Sequence, residues 1–141
     1  MGHPITGRCL CGAVTFRLDG PPLAARACWC RDCQYLACGN AAVGMICTRE
    51  SLVIAGVMAA FSSAADSGAA MRRSFCPACG THLFSEAANA PGYIVVRAGA
   101  LDDRELARPA SMIWTASAPS WATFDPDLPQ FTRHVTAVPD P

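Results

Sequence analysis

Cysteine spacing constrains this chain more than any other feature. Cys28, Cys30 and Cys33 place three thiols within one short stretch. Cys9 and Cys11 lie near the start, and Cys76 and Cys79 past the middle. Seven of the nine cysteines thus sit in short-range clusters. Packing sets no rule on spacing, whereas a metal ion does. Thiolate is a soft ligand that suits Zn²⁺, and ligands close in sequence lose less chain entropy when they converge. The chain therefore reads as a small zinc protein.

The totals bound what such a protein can be. At 141 residues, 52% of them hydrophobic, the chain is expected to form one domain over residues 1–141 with a modest core. Acidic and basic residues balance at eleven each. No basic patch is announced, and nucleic acid is not an expected partner. Every basic residue is arginine, which excludes Schiff-base chemistry on lysine. The first residues lack the apolar segment of a secretory signal. The longest apolar run, residues 52–61, is interrupted by Gly56 and is too short to cross a bilayer. The expectation is a cytoplasmic protein without a membrane partner, and a homodimer is compatible with the sequence. In a reducing cytosol, clustered cysteines are metal ligands or redox groups rather than disulfides.

Residues 1–8 read as a leader. Residues 13–18 alternate apolar and polar side chains in strand fashion. Residues 23–27 form a strand that leads into the triplet, and residues 34–40 form a helical turn or loop. Strands follow over 41–48, 52–56, 57–62 and 71–75, with a loop at 63–70. Residues 82–85 and 93–98 form a strand pair, 101–107 a short helix and 111–117 a last strand. The proline- and aromatic-rich tail from Ala118 to Phe131 drapes over the body. Many short strands between Gly and Pro turns, with no sustained 3.6-residue period, argue for a mainly β domain.

A closed structural zinc site takes four ligands. Cys9 and Cys11 supply one pair, and Cys76 and Cys79 the other, clamping the N-terminal strand to the middle of the chain. Gly80 after the second cysteine lets the backbone wrap a metal. Cys28, Cys30 and Cys33 remain, and three protein ligands leave a position open, as in catalytic zinc sites. Cys38 and Cys47 have apolar neighbours and read as small core side chains. The alternatives are that one of them closes the triplet, or that the triplet holds no metal. His3, His82 and His134 are expected to be surface or internally satisfied histidines. Arg31, Arg72 and Arg73 adjoin the cysteine motifs and have the chemistry to grip a carboxylate, but each is expected on a solvated face. Asp32 is a candidate for orienting a group near the triplet. Trp114, Trp121 and Phe131 are expected to cover the core.

Several motifs occur together in order: Gly7-Arg8-Cys9-Leu10-Cys11-Gly12-Ala13-Val14, then Cys28, Cys30 and Cys33-Gln34, then Phe75-Cys76, Cys79-Gly80-Thr81. Gly99-Ala100-Leu101-Asp102-Asp103, Ile113-Trp114, Ala118-Pro119, Trp121 and Leu128-Pro129 with Phe131 follow. This set resembles the glutathione-dependent formaldehyde-activating family, which also includes centromere protein V. The resemblance implies small antiparallel sheets leaning together, a β-tent similar to Mss4-like folds. It implies a structural zinc on Cys9, Cys11, Cys76 and Cys79, and a second, catalytic zinc on Cys28, Cys30 and Cys33. It also implies a carbon–sulfur lyase activity that condenses a small thiol such as glutathione with formaldehyde to S-hydroxymethylglutathione, or the reverse. The rival is a non-enzymatic zinc-binding interaction module. A redox protein cycling the triplet is a third reading. In one respect the chain departs from the family pattern: Trp29 stands where the middle motif usually has histidine. Either the indole reshapes the pocket beside the metal or it is a core aromatic.

Overall fold

The computed structural model describes residues 3–134. Among these residues, two sheets built from ten short strands carry the fold, and one short α-helix connects two strands of the larger sheet. The smaller sheet has the order β1 (Ile5–Arg8), β2 (Thr15–Leu18), β5 (Leu52–Ala55), all antiparallel. The larger sheet has the order β10 (Ser111–Ile113), β3 (Ala24–Cys28), β4 (Ala42–Thr48), β9 (Tyr93–Arg97), β8 (His82–Ala87), β7 (Ala70–Phe75), β6 (Ala59–Ala64). It is antiparallel except where β10 runs parallel to β3. Mainly β structure with antiparallel sheets is what the short alternating segments predict.

The sheets bury a shared core. Phe16, Leu18 and Leu52 from the small sheet pack with Met45, Cys47, Phe84, Ile94 and Val96 from the large one. Phe16 and Phe84 meet edge to face at 5.2 Å between centroids, the preferred geometry for aromatic pairs. Side chains alternate along each strand, so one face of the large sheet is spent on this core. Met45 and Cys47 point into it from β4, and Ile94 and Val96 from β9. The opposite face carries the other residues of the same strands: Gly44 and Ile46, Val95 and Arg97. Cross-strand register extends this second face. Gly44 lies opposite Arg26 on β3 and Arg97 on β9. Val95 lies opposite Ser85 on β8, which lies opposite Arg73 on β7.

Several expectations are corrected. The described part of the leader is strand β1, because its alternation continues that of β2 and pairs with it. The helical turn after the triplet is α1 (Arg31–Leu36), which starts inside the triplet, because the Cys30 sulfur caps it by accepting from the Cys33 N–H at 3.3 Å. The last strand ends at Ile113: Trp114 adopts the left-handed conformation, with φ of 57°, and a 3₁₀ turn follows. Residues 104–107 also form a 3₁₀ turn. Beyond draping, the tail exchanges backbone hydrogen bonds with Met112 through Pro129 and Phe131.

Candidate metal centres and pocket

The first cysteine cluster is assembled by two turns of similar design. In one, the Gly12 N–H donates to the Cys9 carbonyl, and the Val14 N–H reaches the Cys9 sulfur at 3.2 Å. In the other, the Gly80 N–H donates to the Cys76 carbonyl. Both turns need positive φ, 81° at Gly12 and 77° at Gly80, which glycine supplies without steric cost. Thr81 links the turns. Its hydroxyl accepts from the Leu10 N–H at 3.0 Å and lies 3.2 Å from the Cys79 sulfur. That contact holds the Cys79 thiol down to about 5.

Cys9, Cys11, Cys76 and Cys79 bring their sulfurs within 4.8 Å of one another. The Cys9–Cys11 and Cys11–Cys76 separations are both 3.7 Å. A tetrahedral thiolate site with Zn–S of about 2.3 Å has edges of about 3.8 Å. The four sulfurs therefore fit a single tetrahedral ion, and zinc is the metal that such a donor set suits.

The second cluster sits where β3 gives way to α1. Cys28 ends the strand, Cys30 caps the helix and Cys33 lies in its first turn. Their sulfurs also lie within 4.8 Å of one another. Gln34 secures the loop: its amide N–H groups donate to the carbonyls of Trp29 (2.8 Å) and Ser117 (3.0 Å), and its oxygen accepts from Arg31. Cys30 is held below the ordinary thiol range by hydrogen bonds from Cys28 and Cys33, and Cys28 is pushed up by the same sharing. Three thiols that share protons in this way have the donor chemistry that a soft divalent ion replaces.

Unlike the first cluster, the second opens onto a pocket of about 170 Å³. Arg26, Gly44, Arg73, Ser85 and Arg97 line it from the second face of the large sheet, and Trp114 and His134 complete the lining. An adjoining space of about 420 Å³ shares Arg26, Ile46, Ser85 and Val95 with it and runs past Asn89 and Tyr93. A cleft of about 880 Å³ lies elsewhere, between residues 3–6 and Leu106, and no cysteine lines it.

The pocket arginines are held firmly. Arg73 is 5% exposed and donates to Ser63 at 2.7 Å and Asp32 at 3.4 Å. Arg97 donates to Ser85 at 2.6 Å. The Nε atoms of both are buried without a partner. His82 reaches the same Ser85 hydroxyl at 3.4 Å. Burial, reinforced by Arg97, lowers its pKa to about 4, so its ring is neutral at pH 7.

Placement differs from expectation at several residues. Arg73 is buried in the pocket, whereas Arg72 beside it is exposed on the other face of β7. Arg31 lies over the Tyr35 ring at 4.9 Å. Asp32 is the ion-pair partner of Arg73. His82 is internally satisfied, His3 is exposed and His134 borders the pocket. Cys47 is a core side chain, but Cys38 is exposed. It takes a left-handed turn after α1, with φ of 59°, which carries it off the body. Neither lies in the triplet cluster. Trp29 is a core aromatic, 2% exposed, packed on Met112, Phe124 and Trp121 and absent from the pocket lining. Trp121 is 65% exposed rather than covering, and it meets Trp29 edge to face. Phe131 is also exposed, but Trp114 packs against both small clusters. Sequence reasoning missed Arg26, Gly44, Ser85 and Arg97. None adjoins a cysteine motif except Arg26, and only strand register brings them together.

Among the described residues, no helix is long and apolar enough to cross a membrane. Comparison with curated proteins finds no match in sequence. A crystal structure of a Rhodobacter sphaeroides protein from a structural genomics programme shares the fold, with a TM-score of 0.58 at 20% identity. The match covers 74% of this chain and 96% of that one. The family model described as glutathione-dependent formaldehyde-activating enzyme matches residues 4–117.

Proposed function

Since this chain belongs to the glutathione-dependent formaldehyde-activating enzyme family, we propose that it is a zinc-dependent carbon–sulfur lyase acting on the adduct of glutathione, or a related thiol, with a small aldehyde. In this reading Cys9, Cys11, Cys76 and Cys79 hold a structural zinc, and Cys28, Cys30 and Cys33 hold a second, catalytic one. The observation that carries it is the contrast in ligand number and in what the sulfurs face. Four sulfurs close around one point, while three converge at the base of a pocket.

In the forward direction the thiol loses its S–H proton, a carbon–sulfur bond forms, and the carbonyl oxygen gains a proton. A bound zinc would favour thiolate over thiol at neutral pH. The chain's own residues do the rest. The Cys30 cap and the Gln34 bonds fix the loop that carries the triplet. Arg97 and Arg73 place positive charge where a thiolate and a developing alkoxide are negative. Ser85, held by Arg97 and beside neutral His82, is placed to pass a proton to or from the pocket.

Exchange NMR on mixtures of glutathione and formaldehyde tests the reading. The zinc-loaded protein accelerates interconversion of free thiol and adduct, and Cys30→Ser with intact fold does not. Equal rates with and without the wild-type protein, repeated with other small aldehydes, would remove the enzyme reading and favour a binding module.

A further inference from the structure

One residue of the pocket wall is held in a conformation that its type rarely adopts. Trp114 is left-handed, with φ of 57° and ψ of 35°, an outlier for so bulky a side chain. Such strain persists only where the surroundings over-determine it, and it collects at functional sites. Here the surroundings are explicit. The Trp114 N–H donates to the Arg133 carbonyl at 3.2 Å, and the Ala116 N–H to the Thr132 carbonyl at 3.3 Å. Between them, the N–H and the hydroxyl of Thr115 both donate to the Phe131 carbonyl at 3.1 Å. Gln34 completes the clamp, because its amide bonds the carbonyl of Trp29 in the triplet loop and that of Ser117 in the turn after Trp114.

The kink decides where the indole goes. Ile113 lies opposite Cys28 and lines the pocket, whereas Met112 packs with Ala27 and Trp29. Had β10 run straight on, strand alternation would have sent Trp114 to the side of Met112 alone. The left-handed turn lets it also pack against the cluster of Cys30, Cys33 and Ala42, and it enters the pocket lining. With Ala42, Ile46, Val95 and Ile113 it gives the pocket an apolar wall beside the triplet. Ile46 and Val95 line the adjoining space as well, so this wall runs on from one space to the other.

Neither reactant of the family's named reaction has a group for that wall to hold. Formaldehyde carries only hydrogen on its carbon, and the body of glutathione is polar and charged. Resting on the thiol-adduct reading, we infer that Trp114 is a specificity-determining residue of this site. The adduct carries an apolar substituent, aliphatic or aromatic, next to the carbon–sulfur bond that forms or breaks, and the indole packs on it. The substituent belongs to the aldehyde or to the thiol. It is not confined to a short group, because the wall of Ile46 and Val95 leads into the adjoining space of about 420 Å³.

The test is exchange NMR on the zinc-loaded full chain, read as acceleration over the uncatalysed rate so that the intrinsic reactivity of each reactant cancels. One arm keeps glutathione and compares 3-methylbutanal with formaldehyde. The other keeps formaldehyde and compares 2-phenylethanethiol with 2-mercaptoethanol. The apolar member is accelerated about tenfold more, or better, in at least one arm, and the arm identifies which reactant carries the substituent. Trp114→Gly and Trp114→Asn remove the ring but tolerate the left-handed backbone. In both, the preference falls to within about threefold, and Trp114→Phe, which restores a ring, retains most of it. Thermal melting confirms that each variant is folded. A variant that has lost turnover still reports, because the visible spectrum of the Co²⁺-loaded chain gives the same preference as a ratio of binding. Equal acceleration of apolar and polar members in both arms overturns the assignment and leaves thiol chemistry standing. A preference that survives in both Trp114→Gly and Trp114→Asn also overturns it, because the indole would then play no part in it. No acceleration of any pair overturns the thiol-adduct reading and, with it, this one.

Discussion

The two cysteine clusters offer the same candidate ligand, sulfur, and differ in almost everything around it. The cluster of four is built from backbone turns, hydrogen-bonded to each other through Thr81 and joining residues 65 or more apart in sequence. Among the described residues, no arginine is among the groups that shift Cys9, Cys11 or Cys79. The cluster of three spans only Cys28 to Cys33, hangs on one strand end and one helix cap, and faces three arginines. A long closed loop with four ligands couples metal to folding, whereas a short one with three couples it to the contents of a pocket. Ligand count alone suggests this division, but the surroundings supply the physical reason.

The largest effect that would break or sharpen the contrast comes from removing one sulfur at a time. Structural zinc sites contribute on the order of 10 kcal/mol to folding in small domains. Cys76→Ser is expected to abolish a cooperative melt at 37 °C or to lower Tm by more than about 15 °C. Cys30→Ser is expected to lower Tm by a few degrees and to remove one metal per chain. Melts and metal analysis on both variants check this. Similar melts for the two would erase the distinction between the clusters.

A second effect is kinetic. Metal in a three-ligand site with an open position exchanges faster than metal enclosed by four thiolates. Stopped-flow chelation should resolve two phases of equal amplitude, separated by about tenfold or more in rate. Cys30→Ser should lack the fast phase. A single phase would mean that the two sites are equally enclosed or that one is empty.

The contrast was partly legible in the sequence. Cysteine spacing partitions the seven clustered thiols correctly into four and three, and short alternating segments give the mainly β class. Both are local signals. The pocket is not local. Arg97 and Gly44 lie far from any cysteine motif, and they meet Arg26 through the register of β3, β4 and β9. Register depends on pairing across the whole sheet. Arg73 illustrates the same limit: beside Arg72 in an exposed-looking strand, it turns inward because strand period sends neighbours to opposite faces. Trp29 shows a different one. Its place between two cysteines points to the metal, yet strand alternation past Cys28 directs it to Met112 and Phe124 on the far side.

Gly44→Ala probes that register with a smaller effect. One methyl pressed against Val95 and Arg97 should cost about 1–3 kcal/mol as overpacking, a fall in Tm of about 2–10 °C. Metal content should stay at the wild-type value, because neither cluster is touched. Loss of the triplet metal in this variant would show that the pocket floor and the metal loop are one unit.

The smallest expected effect concerns His82, which stands three residues past Cys79 but reports on the pocket. Its folded pKa of about 4, set by burial and by Arg97, lies below the ordinary 6.5. The unfolded chain therefore binds more protons between those values, and stability falls as pH drops from 6.5 towards 4. Denaturant melts at pH 7, 5.5 and 4.5 should show that decline, and His82→Asn should flatten part of it. Arg97→Gln removes one cause of the depression and leaves burial, so in that variant the decline should be smaller and level off at a higher pH than in wild type. If the decline is unchanged in Arg97→Gln, burial alone holds the ring neutral, and the reach of the pocket's charge ends at Ser85.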